Sequence, residues 1–164
     1  MASTAGLRDH ADEISDFGVS PSNTLHPDPV GWTPPSCPGA TTIHTAELVD
    51  LLARQKPLLF DVALGSWGKS IPGSIGLQGM GYGAGFSDKI QNRFNRAMHN
   101  LTNGEIGKPI VVFCMNSERF TSYNLALRLV ALGYTQVFWY RGGLEAWQAN
   151  DLPETDLALH SWSG

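Results

Sequence analysis

The sequence predicts an α/β domain in which a central, mostly parallel sheet is flanked by helices. Segments with the apolar spacing of helices alternate along the chain with short β-branched and aromatic runs, and this alternation is typical of parallel sheets. The strongest strand signal is Ile110–Phe113, which is apolar at every position. Such a run is typical of a strand that is covered on both faces.

The first regular elements follow residue 43. Residues 45–54 place leucines 48, 51 and 52 at helical spacing, with His44 or Thr45 as the N-cap. Pro57 ends that pattern, and residues 58–62 form a buried strand that contains Asp61 near its end. The stretch from Gly65 to Gly85 is rich in glycine and has only a short apolar segment around Ile71 and Ile75, so we predict a loop there.

The second half of the chain continues the alternation. Residues 86–101 carry one apolar stripe, which predicts a helix capped by Ser87 and ended by Asn103-Gly104. Strand 109–113 then leads through a polar loop into a largely apolar helix that stops at Gly133. A strand over residues 136–140 and a last helix carrying Leu144 and Trp147 complete the pattern.

Three regions are predicted along the chain: an N-terminal arm over residues 1–42, the domain over 43–152 and a tail over 153–164. The arm is rich in proline, which disfavours both helix and central strand. Its apolar residues could fix it to a core. These residues are Phe17, Val19, Leu25, Val30 and Trp32.

Composition excludes several classes of protein. A net charge of −4 disfavours nucleic acid as a partner, and no apolar run reaches the roughly 20 residues of a membrane helix. Two cysteines cannot form a disulfide framework, and the scattered histidines lack the spacing of a metal site. The first ten residues have no signal-peptide pattern, so we expect a cytoplasmic protein, or a periplasmic one if a leader was removed.

Cys114 is the candidate nucleophile. It follows the strand 109–113 and precedes a tight loop and a helix, and ligands of parallel sheets lie beyond the carboxyl ends of the strands. Loop amides and a helix N-terminus would favour a thiolate and bind an anion, and Arg119 adds a permanent cation. The alternative is that Cys114 is a small buried hydrophobe, a common role for a single cysteine.

The segment Cys114 to Arg119, after a Val-Val-Phe strand, resembles the active-site loop of the rhodanese-like sulfurtransferases. Other segments resemble this family in the same order along residues 43–150. They are Asp61-Val62, Ile71-Pro72-Gly73-Ser74-Ile75, Gly133-Tyr134 with Val137, and Gly142-Gly143-Leu144 with Trp147. The resemblance implies a three-layer α/β fold with the cysteine held in a cradle of amides.

The resemblance extends further to the rhodanese-like proteins associated with pyrroloquinoline-quinone-dependent catabolism. The arm from Asp16 to Thr42 is similar to theirs, as are Gly76–Gly79, Ser122–Asn124 and Trp139-Tyr140. Those relatives carry a C-x-x-x-C-W loop, but Glu118 and Arg119 stand at its last two positions here. Chemistry that uses two thiols within the loop is therefore not expected.

The resemblance implies sulfur transfer through a persulfide. Cys114 would take a sulfane sulfur from thiosulfate or a persulfide and pass it to a thiol, cyanide or a protein acceptor, without a cofactor or a metal. Loop residues would bind the donor. Asp61 could be catalytic, but an acid at the end of a strand more often accepts loop amides or an Arg, so we expect it to support the loop. These substrate-binding residues are Met115, Asn116, Ser117, Glu118 and Arg119.

Two other functions stay open. A Cys-loop-Arg site also fits a tetrahedral oxyanion, as in the phosphatases and arsenate reductases of this fold, although those usually have His before Cys, where this chain has Phe113. The second alternative is a weakly catalytic binding module, since Ser117, Ala63 and Ser70 depart from the family pattern.

Further signals carry less weight. The glycines of 79–85 follow no strong strand, so we expect a loop beside the active site rather than a dinucleotide site. We expect Cys37 to be a bystander. We expect Trp67, Trp139 and Trp147 to lie in the core or at its rim.

Overall fold

A six-stranded parallel sheet forms the centre of the molecule. The computed structural model describes residues 6–7, 11–63, 68–77, 79–83 and 85–159. The helices are α1 Ala11–Ile14, α2 Thr45–Arg54, α3 Lys89–Thr102, α4 Thr121–Ala131 and α5 Gly143–Ala149. The strands are β1 Thr41–Ile43, β2 Leu58–Asp61, β3 Lys69–Ser70, β4 Ser74–Gly76, β5 Ile110–Phe113, β6 Val137–Tyr140, β7 Thr155–Asp156 and β8 Ala158–Leu159.

The strand order in the main sheet is β1-β6-β5-β2-β4-β8, and every neighbouring pair is parallel. The side chains of β5 alternate between two apolar cores, one shared with α3 and α4 and the other with α2 and α5. All four residues of β5 are 0% exposed, which explains why the strand is apolar throughout. The predicted fold class, a mostly parallel sheet flanked by helices, is confirmed.

Most predicted elements form close to their predicted bounds, and α2 begins after its predicted cap, His44. Helix α3 starts later than predicted because Asp88, not Ser87, caps it: Asp88 Oδ1 accepts the amide of Gln91 at 2.8 Å. The glycine-rich stretch contains β3 and β4, which the sequence did not predict. These strands are too short to show a periodic pattern.

The N-terminal arm lies against α4. The hydroxyl of Tyr123 accepts the amide of Ser22 at 2.9 Å and donates to its carbonyl, and the Asn124 amide side chain bonds both backbone groups of His26. Leu25 packs on the core as expected. Val30 and Trp32 do not, because they are 51% and 47% exposed.

The described part of the tail also joins the sheets. Strand β7 pairs with β3 in a small antiparallel sheet, and β8 extends the main sheet beside β4. None of the helices in the described residues combines the length and the apolar character that crossing a bilayer requires.

A buried ion pair connects the segment that precedes α3 with helix α4. The Arg128 side chain is 0% exposed and bonds the carboxylate of Asp88 at 2.9 and 3.0 Å and the carbonyls of Tyr82 and Gly85. Partial burial alone would raise the pKa of Asp88. The hydrogen bonds and the charge of Arg128, with the Gln91 amide, instead lower that pKa to about 2.

We predict that Asp88→Asn lowers the free energy of unfolding at pH 7 by about 3 kcal/mol, because it leaves a buried guanidinium without its counter-charge. The carboxyl pKa is lower in the folded chain than its ordinary value of 3.8. The wild-type ion pair therefore stabilises the fold above about pH 4 and is lost as the pH falls toward 2. Urea unfolding between pH 7 and 2 measures both effects.

Asp50→Asn is the matched control, since Asp50 pairs with Arg54 on the surface of α2 with both side chains more than half exposed. It should change stability little at either pH. An Asp88→Asn protein with the stability and acid sensitivity of the wild type would contradict a structural role for this pair.

Candidate active site

Cys114 lies directly after β5, at the edge of the sheet where the strands end. Asp61 ends the neighbouring strand β2, and Arg141 follows β6 on the other side. Cys114 is 1% exposed. The predicted nucleophile therefore occupies the edge at which parallel sheets bind ligands, but it is covered.

The start of α5 holds the first two carbonyls of the Cys loop, which we define as residues 114–119. The amide of Leu144 donates to the carbonyl of Cys114 at 3.0 Å, and the amide of Glu145 donates to that of Met115 at 2.9 Å. Gly143 makes this approach possible, because it has a φ of 64° and a Cβ there would collide with the Cys114 carbonyl.

The N-terminal arm pairs with the other side of the Cys loop. The amides of Gly31 and Thr33 donate to the carbonyls of Glu118 and Ser117 at 2.8 and 2.9 Å. The amide of Phe120 donates to the carbonyl of Pro29 at 2.9 Å. Residues 29–33, the arm strand, thus form an antiparallel bridge with the loop, centred on Val30 and Arg119.

Thr33 connects this strand to a buried cation that the sequence analysis did not select. Its hydroxyl donates to the carbonyl of Ser117 at 2.6 Å and accepts from Arg141 Nε at 3.2 Å. Arg141 also donates to the carbonyl of Thr33 at 2.9 Å and lies over the ring of Phe17, with 1% of its surface exposed. Arg141 follows a parallel strand as Cys114 does, so the same positional rule could have found it.

The contacts of the Cys114 sulfur differ from the expected cradle of amides. Sγ lies 3.6 Å from the carbonyl of Asn116 and 3.7 Å from that of Arg119, and it accepts from the Ser122 hydroxyl at 3.4 Å. Within the described residues, no backbone amide donates to it. Two nearby carbonyls can accept a hydrogen bond from the S–H of a thiol.

Ser122 is in turn held by Trp139. The indole Nε1 of Trp139 donates to Ser122 Oγ at 2.9 Å, and both residues are buried. The expectation that Trp139 lies in the core is confirmed, with 0% of its surface exposed. The contact between Trp139 and Ser122 is not visible in the sequence, because these residues are 17 positions apart.

The structure places the predicted binding residues together in the Cys loop, and most of their hydrogen bonds involve backbone groups. Met115 is bound by α5, and Asn116 closes the loop locally by accepting the amide of Glu118 at 2.9 Å. Ser117 is 0% exposed, and its hydroxyl has no hydrogen-bond partner among the described atoms. Glu118 contributes its carbonyl to the arm strand.

Arg119 is half-buried, and its backbone pairs with the arm strand. Its positive charge acts on Tyr82: burial raises the pKa of Tyr82, and Arg119 lowers it in part. Tyr82 belongs to the glycine-rich segment, in which Gly81 packs so closely on Thr121 that a Cβ would collide with it. The described part of that segment therefore lies beside the Cys loop, as predicted.

Asp61 is 1% exposed and bonds two neighbouring groups. Its carboxylate accepts the amide of Ala63 at 2.8 Å and the hydroxyl of Ser70 at 2.7 Å. Burial raises its pKa, and these two hydrogen bonds lower it in part. Two of the three positions that depart from the family pattern, Ala63 and Ser70, are thus hydrogen-bonded by Asp61.

Cys37 lies in the same apolar core as Cys114 and is 2% exposed. Its thiol donates to the carbonyl of Tyr123 at 3.7 Å, and burial raises its pKa to about 12. A thiol with that pKa stays protonated at neutral pH and is a poor nucleophile.

Two further expectations concern metals and tryptophans. Among the described residues, no three His, Cys, Asp or Glu side chains come together in a way that could hold a metal ion. Trp147 is buried as predicted, whereas Trp67 lies outside the described residues.

We predict that Thr33→Val speeds the alkylation of Cys114 by about tenfold. Valine keeps the shape of threonine but removes the hydroxyl that joins Arg141 to the Ser117 carbonyl, which weakens the arm strand and favours opening of the loop. The rate is measured with iodoacetamide by mass spectrometry of the Cys114 peptide.

Thr24→Val is the matched control, because the exposed Thr24 hydroxyl bonds only within the arm, at Ser22. It should leave the alkylation rate unchanged. Equal rates for Thr33→Val and the wild type would show that the arm strand does not limit access to the thiol.

We predict that Cys37→Ser leaves the alkylation of Cys114 unchanged at pH 8, since a thiol with a pKa of about 12 is protonated there. In the native wild type, Cys114 should be labelled before Cys37. Peptide mapping after timed labelling measures both. A disulfide between the two cysteines on mild oxidation would instead assign Cys37 a resolving role.

Comparison with known proteins places this geometry in a family. The rhodanese-like domain profile matches residues 44–150. The solved thiosulfate sulfurtransferase from Pseudomonas aeruginosa is similar, with a TM-score of 0.54 and 18% identity over 74% of this chain. This chain covers only 22% of that protein. No curated protein sequence matches the chain.

Two further solved structures are similar over most of their own length. A full-length protein from Lactobacillus plantarum has a TM-score of 0.51 at 19% identity, covering 72% of this chain and 88% of that one. The polysulfide-sulfur transferase homodimer from Wolinella succinogenes has a TM-score of 0.50 at 19% identity, covering 75% and 81%. These likenesses show a shared fold. Because the family profile matches more than half of its length, the chain belongs to the rhodanese-like domain family.

Proposed function

We propose that this protein is a sulfurtransferase in which Cys114 carries a sulfane sulfur as a persulfide. The observation that carries the proposal is the position of Cys114 in a short loop at the carboxyl edge of a rhodanese-like sheet. Solved proteins of the same fold include sulfurtransferases that act on thiosulfate and polysulfide, which supports this class of chemistry.

The proposed cycle has two displacements. The Cys114 thiolate attacks the outer sulfur of thiosulfate, a new S–S bond forms, and sulfite leaves with the electron pair of the old S–S bond. An acceptor thiolate or cyanide then attacks the outer sulfur of the persulfide, and Cys114 leaves as a thiolate. Neither step needs a cofactor, a metal or an external oxidant. A persulfide donor or a protein acceptor would follow the same scheme.

The orientation of the loop peptides supports this role. In a trans peptide the carbonyl and the following amide point in opposite directions. Because α5 binds the carbonyls of Cys114 and Met115, the amides of Met115 and Asn116 point away from α5. We expect these two amides to bind the anionic outer sulfur of the persulfide once the loop has opened.

Access to the thiol requires movement. Cys114 is 1% exposed, and the arm strand is hydrogen-bonded along the loop that contains it. The donor can reach the sulfur only after the arm strand or the loop has shifted. We therefore expect opening of this contact to precede the first displacement.

We predict that thiosulfate adds one sulfur atom to the wild-type protein and that Cys114→Ser abolishes the addition. Intact mass spectrometry after incubation and removal of excess donor measures it, and Cys37→Ser serves as the control that should still be loaded. Transfer of the sulfur to cyanide should follow.

Hydrolysis of an aryl phosphate distinguishes the alternatives. Turnover of that substrate by the wild type, lost in Cys114→Ser, would overturn the proposal in favour of a phosphatase. Absence of both sulfur uptake and phosphate hydrolysis would favour a binding module.

We predict that Arg119→Ala raises the Michaelis constant for thiosulfate by about 10- to 100-fold with little change in kcat. This is the range expected when a charged hydrogen bond to an anionic donor is lost. Arg93→Ala is the control, because it removes one positive charge from the exposed face of α3. Unchanged donor kinetics in Arg119→Ala would show that the donor binds elsewhere.

A further inference from the structure

Ser122 is placed to act on the reacting sulfur. Its Oγ lies 3.4 Å from Cys114 Sγ, and both residues are 1% exposed. Ser122 belongs to the first turn of α4, so its backbone is fixed by the helix. Among the described side chains, it is the one that donates a hydrogen bond to this sulfur.

Trp139 determines the direction in which the Ser122 hydroxyl points. An indole N–H can only donate, so Ser122 Oγ must accept the hydrogen bond from Trp139 Nε1 at 2.9 Å. The hydroxyl has a single proton, and among the atoms that the structure describes the Cys114 sulfur accepts it. The chain Trp139–Ser122–Cys114 is therefore polarised toward the sulfur.

The hydrogen bond from Ser122 and the other two contacts of the sulfur have opposite effects on a negative charge at Sγ. The carbonyls of Asn116 and Arg119 favour a protonated thiol, because they would repel a negative sulfur. A hydroxyl donor favours the anion and binds it more strongly than the neutral thiol. Negative charge on Sγ thus weakens two contacts and strengthens the one from Ser122.

We propose that Ser122 is a catalytic residue that stabilises negative charge on Cys114 Sγ, with Trp139 as its positioning residue. The proposal rests on the proposed sulfurtransferase function. Charge is present on Sγ when the thiolate attacks the donor, and it reappears when the acceptor takes the outer sulfur and Cys114 leaves. Ser122 keeps its proton throughout and serves only as a donor.

The test compares the pH dependence of Cys114 alkylation in the wild type, Ser122→Ala and Trp139→Phe. Removal of the hydroxyl should move the pH of half-maximal alkylation upward by about one unit, since one unit corresponds to a tenfold change in the equilibrium. Trp139→Phe keeps Ser122 but frees its hydroxyl to rotate, so its shift should be smaller and in the same direction. Sulfur transfer to cyanide should slow about tenfold in Ser122→Ala.

Ser74→Ala is the matched control, because Ser74 is also a buried serine and its hydroxyl has no partner among the described atoms. Its pH profile should match that of the wild type. The double variant Ser122→Ala/Trp139→Phe removes the indole N–H that the first change leaves without an acceptor. The double variant should unfold at a higher temperature than the sum of the two single effects predicts. Its pH profile of Cys114 alkylation should match that of Ser122→Ala.

The outcomes separate this inference from the proposed function. A wild-type protein that takes up no sulfur overturns the proposed function. If the wild type is active and Ser122→Ala has the same pH profile and transfer rate, the role of Ser122 is wrong. Should Ser122→Ala fail to fold, Trp139→Phe carries the test, and an unshifted profile in that folded variant overturns the inference.

Discussion

The pairing of the arm strand with the Cys loop is the contact on which the site depends. Hydrogen bonds from Gly31 and Thr33 fix the carbonyls on one side of the loop, while the start of α5 fixes those on the other. A loop held from both sides has little conformational freedom left. The sulfur of Cys114 is buried among the carbonyls of Asn116 and Arg119 in the loop and the hydroxyl of Ser122 in α4.

Proline-rich composition and a structural role are compatible in this arm. Proline removes amide donors and restricts φ, so such a segment cannot pair along both edges as a central strand does. It can still donate from the residues between its prolines, and Gly31 and Thr33 are those residues. The sparse pairing that results holds the loop with few bonds, which is compatible with the opening proposed for this contact.

The fold was predictable because its main signals are local. The continuous apolar run of β5 and the periodic stripe of α3 follow from burial, which the sequence records directly. Strands β3 and β4 were missed because two or three residues show no period. Their positions depend on pairing with other strands: β3 pairs with β7, and β4 pairs with β2 and β8. Strands β7 and β8 lie about 80 residues further along the chain.

The site was predictable only in part. Cys114 and Asp61 follow from the rule that strand ends carry function, and Arg141 satisfies the same rule. Ser122, Trp139 and Thr33 depend on contacts between distant segments, so no spacing identifies them. The orientation of the loop peptides was also out of reach, because it results from the bonds of Thr33, Gly31 and α5 together.

The burial of Cys114 also affects how fast its thiol is lost to oxidation. Peroxide attacks thiolates, and repeated oxidation of an exposed one leads through sulfinic acid to sulfonic acid, which is irreversible. A cysteine that is 1% exposed is sheltered from this loss. An opening equilibrium of about 3 kcal/mol would leave roughly one molecule in 150 uncovered at any moment. If the proposed opening of this contact limits access to Cys114, the arm strand sets the rate of oxidative inactivation as well as the rate at which the donor enters.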